Sequence, residues 1–131
     1  IRVVFKSTSK IRNFFKFRDR KPEILRSCQI YKFKCGSCNA SNIGKTFRHM
    51  KVRVSEHRGV SPRTGKVLKG TTSTSVRDHM LECDHIVDWD DFSVLGTENN
   101  HFLLEIKESL FIKRDKPSLN KNIYSQELFL F

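Results

Sequence analysis

The sequence has no apolar run that approaches the roughly 20 residues of a membrane-spanning helix, so we expect no membrane partner. It also has no recognisable signal peptide, which favours an intracellular, reducing compartment and a chain cut from a longer polypeptide. With 131 residues it can form one domain around a single modest core. The 11 phenylalanines and the hydrophobic fraction of 37% exclude a wholly disordered chain.

Acidic residues are scarce, since 14 Asp and Glu oppose 25 Lys and Arg and the formal net charge is +11. Residues 1–27 hold nine Lys or Arg against two acidic residues, which leaves +7. A concentration of positive charge of this kind favours binding to the phosphate backbone of a nucleic acid, because binding releases counterions. We divide the chain into a basic lead-in over 1–27, a domain over 28–122 and a tail over 123–131. The lead-in is expected to bind DNA or RNA, or to serve only as a solvated linker.

Three segments have the pattern of strands. Residues 29–34 alternate, residues 40–44 can return beside them, and residues 92–95 form a third run. The turn-rich sequence Cys-Gly-Ser-Cys-Asn over 35–39 separates the first two segments. This order predicts a hairpin with a cysteine pair at its tip.

Helical periodicity begins at Thr46, the predicted start of the first helix. Phe47 and Val54 lie seven residues apart and, with Met50 between them, are expected to face the core. A polar face recurs every fourth residue and is formed by His49, Arg53 and His57.

Two further helices are predicted beyond a basic loop over residues 59–70. A short helix is expected over 75–82, and a long helix over 98–113 with Thr97 as its N-cap. The long helix is rich in apolar residues, so we expect it to be the central buried helix of the domain.

Two groups of metal-ligand residues indicate a structural zinc site. Cys35 and Cys38 place two thiolates on one tight turn. His79 and Cys83 would lie one turn apart on the short helix, and His85 follows closely. Cys83 and His85 therefore compete as the fourth ligand. Such a site would pin the hairpin to the short helix, whereas the alternative is a pair of buried free thiols with unrelated histidines.

A second group of residues provides the types of side chain that phosphodiester hydrolysis requires. Tyr31 lies on the first strand, Arg53 and His57 on the first helix, and Glu108 on the long helix. A cation can stabilise charge on pentavalent phosphorus, a metal can polarise the leaving oxygen, and a base can activate water. Glu108 is the most informative member, because a carboxylate on an apolar helix needs a metal or another cation beside it.

The order of these residues resembles that of the GIY-YIG endonuclease family. Ile30-Tyr31 stands where the first tripeptide of the family ends, and Asn42-Ile43-Gly44 stands where the second lies. Arg53 and His57 match the arginine of the first helix and the histidine that often follows it.

The later motifs of the family have counterparts as well. Glu108 matches the metal-binding glutamate, and Lys-Pro-Ser-Leu-Asn over 116–120 matches the segment that ends in the terminal asparagine. The cysteine pair between the two tripeptides, together with His79-x-x-x-Cys83-x-His85, is similar to the endonuclease domain of Penelope-like retroelements. In that group the domain follows a reverse transcriptase.

The resemblance implies an α+β fold with a small three-stranded antiparallel sheet, flanking helices and an inserted zinc-binding knuckle. It implies a metal-dependent DNA endonuclease that nicks the target site of a retrotransposon in the nucleus and leaves a 3′-hydroxyl. Mg²⁺ or Mn²⁺ would sit on Glu108. Tyr31 would be the general base, Arg53 would stabilise the phosphorane, His57 would position the phosphate or assist proton transfer, and Asn120 would orient the site. Nucleic-acid contact is assigned to Lys45, Arg48, His49 and Lys51.

The sequence departs from the family pattern at two positions. Gln29 replaces the glycine of the first tripeptide, and Asn42 replaces the tyrosine of the second. Asparagine can form hydrogen bonds but cannot carry a proton in the relevant pH range. A second hypothesis is therefore a catalytically impaired, zinc-stabilised DNA-binding module, and a third is a protein interaction domain.

Overall fold

The computed structural model describes residues 21–70 and 73–120, which form an α+β domain with a three-stranded antiparallel sheet and three α-helices. The predicted α+β class and three-stranded sheet are thus confirmed. Residues 1–20 of the basic lead-in and the tail over 123–131 lie outside the described residues. Within the described part of the chain, no helix is long and apolar enough to cross a membrane.

The helices and strands follow one another as β1 (Gln29–Lys34), β2 (Ser41–Thr46), α1 (Met50–Arg58), α2 (Ser75–Cys83), β3 (Phe92–Thr97) and α3 (His101–Asp115). Short 3₁₀ turns precede β1 and β3. The first predicted strand has the bounds of β1, and the other two predicted strands each end two residues too early. The second predicted strand also begins one residue before β2.

β1 is the central strand of the sheet, whose order is β2-β1-β3 with both pairings antiparallel. Tyr31 on β1 lies opposite Gly44 on β2 and Val94 on β3. Because paired residues point to the same side of a sheet, Tyr31 and Gly44 share one face. Ile30 and Lys45 form the next pair and therefore point to the opposite face.

Helices cover both faces of the sheet. Leu104 of α3 packs against Ile30 on one face. On the other face Val54 of α1 packs with Tyr31, and Val76 of α2 belongs to the neighbouring apolar cluster. Full burial of a side chain of this size contributes about 1.5–3 kcal/mol to stability.

The predicted start of the first helix is wrong, because Thr46 still belongs to β2 and α1 begins at Met50. His49 is the N-cap residue, with ψ of 138°, so it does not share a helical face with Arg53. Phe47 lies in the connection and is 36% exposed, so the prediction that it faces the core is also wrong.

The predicted N-cap of the long helix is wrong, because Thr97 ends β3 and α3 begins at His101. Its N-cap is Asn100, whose side-chain oxygen accepts a hydrogen bond from the first turn at 3.2 Å. Nor is α3 a central buried helix. Leu104 is the one buried residue among its described positions, and Phe102 is 64% exposed. The three-stranded sheet covers only one side of this helix.

Candidate metal centre and active site

The turn after β1 is a compact knuckle. The backbone N–H of Cys35 donates to the carbonyl of Ala40 at 2.9 Å, which closes the hairpin. The backbone N–H of Ala40 donates to Cys38 Sγ at 3.4 Å. Cys35 is buried in a cluster with Phe33 and Val76, whereas Cys38 is half-buried. The packing therefore fixes both sulfur atoms on the side of the hairpin that faces α2.

Four side chains converge at the knuckle, with ligand atoms that all lie within 4.8 Å of one another: Cys35, Cys38, His79 and His85. Cys35 Sγ is 3.4 Å from His85 Nδ1. Cys38 Sγ is 3.5 Å from His79 Nε2, and this nitrogen is 3.3 Å from His85 Nδ1.

These distances are those of a tetrahedral metal site. Bonds of ~2.3 Å to sulfur and ~2.0–2.1 Å to nitrogen place sulfur and nitrogen ~3.5 Å apart, and two nitrogens ~3.3 Å apart. The Cys₂His₂ cluster therefore has the chemistry and the dimensions to bind a metal such as zinc.

Cys83 is not part of the cluster, and His85 is its fourth member. Cys83 ends α2 and is exposed, and its Sγ lies 3.6 Å from His79 Nδ1, the ring nitrogen that faces away from the cluster. Asp84 then adopts a left-handed conformation with φ of 53°, which turns the chain so that His85 folds back. The two predicted competitors thus have different positions, because the helix ends between them.

The cluster connects distant parts of the sequence. Cys38 and His79 are 41 residues apart, so a metal bound here would close a long loop between the hairpin and α2. A cross-link of this kind stabilises a small domain by lowering the entropy of its unfolded chain.

Tyr31 is the centre of a directional chain of hydrogen bonds. Arg53 Nε donates to the Tyr31 hydroxyl oxygen at 2.9 Å, and this oxygen lies 2.7 Å from His57 Nε2. A guanidinium can only donate, so we assign the Tyr31 hydroxyl hydrogen to its other neighbour, His57 Nε2, which leaves the Tyr31 donor paired. His57 then carries its hydrogen on Nδ1 and donates it to Thr74 Oγ1 at 2.9 Å. With this assignment of the His57 tautomer, donation runs in one direction from Arg53 to Thr74.

Burial keeps the Tyr31 phenol and the His57 imidazole in their neutral forms. Tyr31 is completely buried, and this burial raises its pKa, while Arg53 opposes the rise and the charge of Glu108 adds to it. Burial and the positive charge of Arg53 lower the pKa of His57 to about 3. At neutral pH the phenol therefore keeps its proton, and the imidazole is uncharged with Nε2 as an acceptor.

Glu56 holds the guanidinium of Arg53 in place. Arg53 Nη1 donates to Glu56 Oε2 at 3.1 Å, and Arg48 pairs with the other carboxylate oxygen. Burial disfavours a charged guanidinium, but the contacts with Tyr31 and Glu56 outweigh this and raise the pKa of Arg53. Within the described residues no hydrogen bond engages Arg53 Nη2. A fixed cation thus lies beside the Tyr31 hydroxyl with one nitrogen available to a ligand.

Glu108 has a cationic partner within the protein. Lys45 Nζ lies 3.0 Å from Glu108 Oε2 and 3.2 Å from Glu105 Oε1. Burial disfavours the ammonium, but the two carboxylates raise the pKa of Lys45. The Glu108 side chain is 18% exposed and that of Glu105 is 54% exposed. Carboxylate oxygens are the donors that Mg²⁺ prefers, so the chemistry of this pair fits such an ion in place of the ammonium.

Tyr31 and Glu108 approach β2 from opposite faces of the sheet. The Tyr31 ring lies against Gly44, and Lys45, the next residue of β2, points to the other face and holds Glu108. The structure therefore brings three predicted residues into direct contact, namely Tyr31, Arg53 and His57. Glu108 approaches these three residues from the opposite face of β2.

Asn120 pairs with β2 much as a neighbouring strand would. Its Oδ1 accepts a hydrogen bond from the backbone N–H of Ile43 at 2.9 Å, and its Nδ2 donates to the Ile43 carbonyl at 2.8 Å. The backbone N–H of Leu119 also donates to the carbonyl of Ser41 at 2.9 Å. Asn120 thus fixes the outer edge of the strand that contains Gly44 and Lys45 to the segment after α3.

The four residues assigned to nucleic-acid contact lie between the end of β2 and the first turn of α1: Lys45, Arg48, His49 and Lys51. His49 and Lys51 are exposed, whereas Lys45 and Arg48 are held by carboxylates.

The two positions that depart from the family pattern are buried. Asn42 is opposite Phe33, so it points to the same sheet face as Tyr31. Gln29 is fully buried, and neither its Nε2 nor its Oε1 has a hydrogen-bond partner among the described residues. Among the described residues, nothing offsets the cost of removing this amide from water.

Sequence reasoning missed three residues that contact the predicted ones. Thr74 accepts a hydrogen bond from His57 and also caps α2 by accepting from the backbone of Arg77 at 3.2 Å. A threonine just before a predicted helix is a readable N-cap signal, but nothing in the sequence connects it to His57. Glu56 and Glu105 lie three residues from Arg53 and Glu108, a spacing that places them on the same helical faces.

Comparisons with protein families, with curated proteins and with solved structures find no match to this chain. The arrangement of its side chains is therefore what supports a function.

Proposed function

We propose that this chain is a metal-dependent DNA endonuclease of the GIY-YIG type, which nicks one strand by phosphodiester hydrolysis. The observation that supports this most directly is the Tyr31 hydroxyl held between a permanent cation, Arg53, and a neutral imidazole, His57. Hydrolysis of a phosphodiester needs a cation for the developing charge and a group that accepts a proton, and the two lie on either side of one hydroxyl.

Arg53 binds the scissile phosphate through Nη2 and stabilises the charge that builds on its oxygens. Tyr31 is uncharged in the resting protein, so it can act as a base only by passing its proton to His57 Nε2. Thr74 keeps this nitrogen free by holding the hydrogen of His57 on Nδ1. The neutral state of His57 is therefore a requirement of the proposed mechanism.

Glu108 would hold Mg²⁺ or Mn²⁺, with Glu105 as the adjacent carboxylate, and the ion would polarise the leaving oxygen when bound. Lys45 occupies the space between these carboxylates in the resting protein. Asn120 keeps β2, and with it Lys45, at a fixed distance from the end of α3.

The Cys₂His₂ cluster is proposed to hold one structural zinc ion, since its distances match the tetrahedral geometry of that metal. The chain is further proposed to act on DNA in the nucleus, joined to a reverse transcriptase in a retroelement polypeptide, where the 3′-hydroxyl of the nick would prime synthesis. Contact with RNA through the basic lead-in belongs to the same proposal, and residues 1–20 lie outside the described part.

The test is a nicking assay with supercoiled plasmid DNA. We expect Mg²⁺- or Mn²⁺-dependent nicking that Glu108→Ala abolishes, because the metal loses its ligand. Glu105→Ala should reduce nicking less than Glu108→Ala, because the Glu105 carboxylate is more than half exposed and only adjoins the proposed metal ligand. If the unmodified protein is as inert as Glu108→Ala, the enzyme proposal fails.

A second candidate function is a zinc-stabilised DNA-binding module without turnover. Asn42 favours it, because this buried residue stands on the face of Tyr31 where the family pattern has a second tyrosine. The module would bind DNA in a salt-sensitive manner and leave it intact. Asn42→Tyr separates the two functions, because a gain of nicking in this variant would show that the native protein is an impaired enzyme.

A further inference from the structure

The loop between α1 and α2 forms a hairpin that none of the roles above uses. We call residues 59–70 the basic hairpin. Its two arms are joined by an antiparallel bridge between Val60 and Val67 and by a hydrogen bond of 2.8 Å from Ser61 N–H to the Lys66 carbonyl. The segment is therefore a short hairpin that is closed by one bridge and has a defined backbone.

The basic hairpin holds positive charge that no carboxylate offsets. Arg63, Lys66 and Lys69 are exposed, the segment contains no acidic residue, and within the described residues none of the three forms an ion pair. By contrast, the cations near Tyr31 are paired, Arg53 with Glu56 and Lys45 with Glu108. The hairpin therefore carries positive charge that is available for an anionic partner.

The base of the hairpin is fixed to the active site. It begins directly after α1, one residue beyond Arg58, and Val60 N–H donates to the Ser55 carbonyl at 2.9 Å. At the other end the chain returns to Thr74, whose hydroxyl is 2.9 Å from His57 Nδ1. A ligand bound along the hairpin would therefore extend from the network that contains His57.

Apolar side chains stand among these cations. Val67 is 76% exposed and Leu68 is 41% exposed, and they lie between Lys66 and Lys69 in the sequence. A hairpin that carries both cations and exposed apolar side chains can contact the phosphates of a duplex and the thymine methyl groups in its major groove.

We propose that the basic hairpin seats in the major groove of duplex DNA beside the scissile phosphate, with Arg63, Lys66 and Lys69 on the backbone phosphates. The inference rests on the proposed DNA-cleaving function and names how that substrate is held. The major groove of B-form DNA is about 12 Å wide and admits a two-stranded ribbon. The major groove of an A-form RNA duplex is narrow and deep and does not.

The test measures binding of the full chain to a short B-form DNA duplex by fluorescence anisotropy over a range of KCl concentrations, without Mg²⁺. The variant replaces Arg63, Lys66 and Lys69 together by alanine. Each lost phosphate contact should reduce the slope of log affinity against log salt by about 0.9, hence by about 2.7 for three contacts. The matched control replaces three exposed lysines outside the hairpin, Lys34, Lys113 and Lys116, and removes the same charge.

We expect the slope of log affinity against log salt to fall by about 2.7 in the hairpin variant and to stay unchanged in the control. If the unmodified protein shows no salt-sensitive DNA binding, the proposed function itself fails. Two outcomes would overturn only the hairpin inference, provided that the unmodified protein binds DNA. In the first, the hairpin variant has the same salt slope as the unmodified protein. In the second, the slope of the control falls as much as that of the hairpin variant. Equal, hairpin-dependent binding of an A-form RNA duplex would also overturn the hairpin inference. Circular dichroism of both variants should match that of the unmodified protein. A milder variant combines Lys66→Gln with Lys69→Gln, and its slope of log affinity against log salt should fall by about 1.8.

Discussion

Gly44 lies against the ring of Tyr31: a Cβ at position 44 would stand 2.5 Å from the Tyr31 hydroxyl oxygen and 2.8 Å from Cζ. Real Cβ atoms do not approach other atoms so closely, so any larger residue must push the tyrosine aside. The glycine that ends the second tripeptide is therefore required by packing, because it leaves space for the hydroxyl that Arg53 and His57 hold.

The first prediction concerns this contact. Gly44→Ala should lower the free energy of unfolding by about 1–3 kcal/mol and reduce nicking, because the added methyl group overpacks a buried site and displaces Tyr31. Chemical denaturation measures the first effect. Gly96→Ala on β3 is the matched control, since its Cβ would meet Phe111 at an ordinary 3.9 Å. Equal stability of Gly44→Ala and the unmodified protein would show that Tyr31 does not lie where the structure places it.

The second prediction concerns zinc. The purified protein should contain one zinc ion per chain, and Cys35→Ser should lose it, because a thiolate ligand is replaced by a hydroxyl. Cys83→Ser should keep the ion with roughly tenfold lower affinity, because Cys83 contacts only the outer nitrogen of His79. Metal analysis measures the zinc content of each protein, and titration with a competing chelator measures its zinc affinity. Loss of zinc from Cys83→Ser, with zinc retained when His85 is replaced, would reverse the assignment of the fourth ligand.

The third prediction concerns Thr74. Thr74→Val should cost about 1 kcal/mol through loss of the α2 cap. It should also leave His57 Nδ1 without an acceptor, so the ring should populate both tautomers and nicking should fall by about tenfold or more. The ¹⁵N chemical shifts of the His57 ring report the tautomer.

Thr74→Ser is the control for this change, because it restores a hydroxyl at the same position. It should return both the tautomer and the nicking rate toward those of the unmodified protein. If Thr74→Val lowers stability but leaves the His57 spectrum unchanged, Thr74 only caps α2 and does not position the histidine.

The fourth prediction concerns pH. The pKa of His57 is about 3 in the folded protein and about 6.5 when unfolded, so between these values the unfolded chain binds more protons. Stability from the neutral imidazole is thus present above pH 6.5 and is lost as pH falls toward 3. The loss between pH 7 and pH 5 should be about 2 kcal/mol.

Denaturation at these two pH values, in the unmodified protein and in His57→Gln, measures this loss. Loss of zinc at low pH affects both proteins, so the difference between them isolates His57. His49→Gln replaces an exposed histidine and should leave the dependence intact. If His57→Gln has the same pH dependence as the unmodified protein, His57 is not a buried neutral imidazole.

The fifth prediction concerns Gln29. Its buried amide has no hydrogen-bond partner among the described residues, so Gln29→Met, with similar volume, should raise the free energy of unfolding by about 1–3 kcal/mol. Lys34→Met at the exposed end of the same strand is the control and should change it by less than about 0.5 kcal/mol. A loss of stability in Gln29→Met would show that the amide is satisfied.

Local patterns predicted much of the fold and of the metal centre. The alternation over β1 and the turn residues after it placed the first hairpin correctly, because side-chain period and turn chemistry are local properties. The ligand spacings found all four members of the cluster. They left Cys83 and His85 undecided, because the left-handed turn at Asp84 that separates them is not visible in ligand spacing.

The start of α1 and the burial of α3 were predicted wrongly for a different reason. The helical periodicity that begins at Thr46 competes with strand pairing to β1. Thr46 pairs with Gln29 and stays in β2, because the tertiary context outweighs the local pattern. Apolar residues on α3 suggested complete burial, but a sheet of three strands can cover only one side of the helix, so Phe102 remains exposed.

The sequence by itself determined the class of elements, the candidate metal ligands and the residue types of the proposed nuclease site, because these depend on short-range spacing and side-chain chemistry. Only the tertiary structure decided which of those residues meet. It joins Arg53, Tyr31, His57 and Thr74 in one hydrogen-bonded chain, and it gives Glu108 the ammonium of Lys45 as its cation. Such contacts follow from strand order and the faces that helices cover, which combine segments far apart in the sequence, such as Ile43 and Asn120, at a separation of 77 residues.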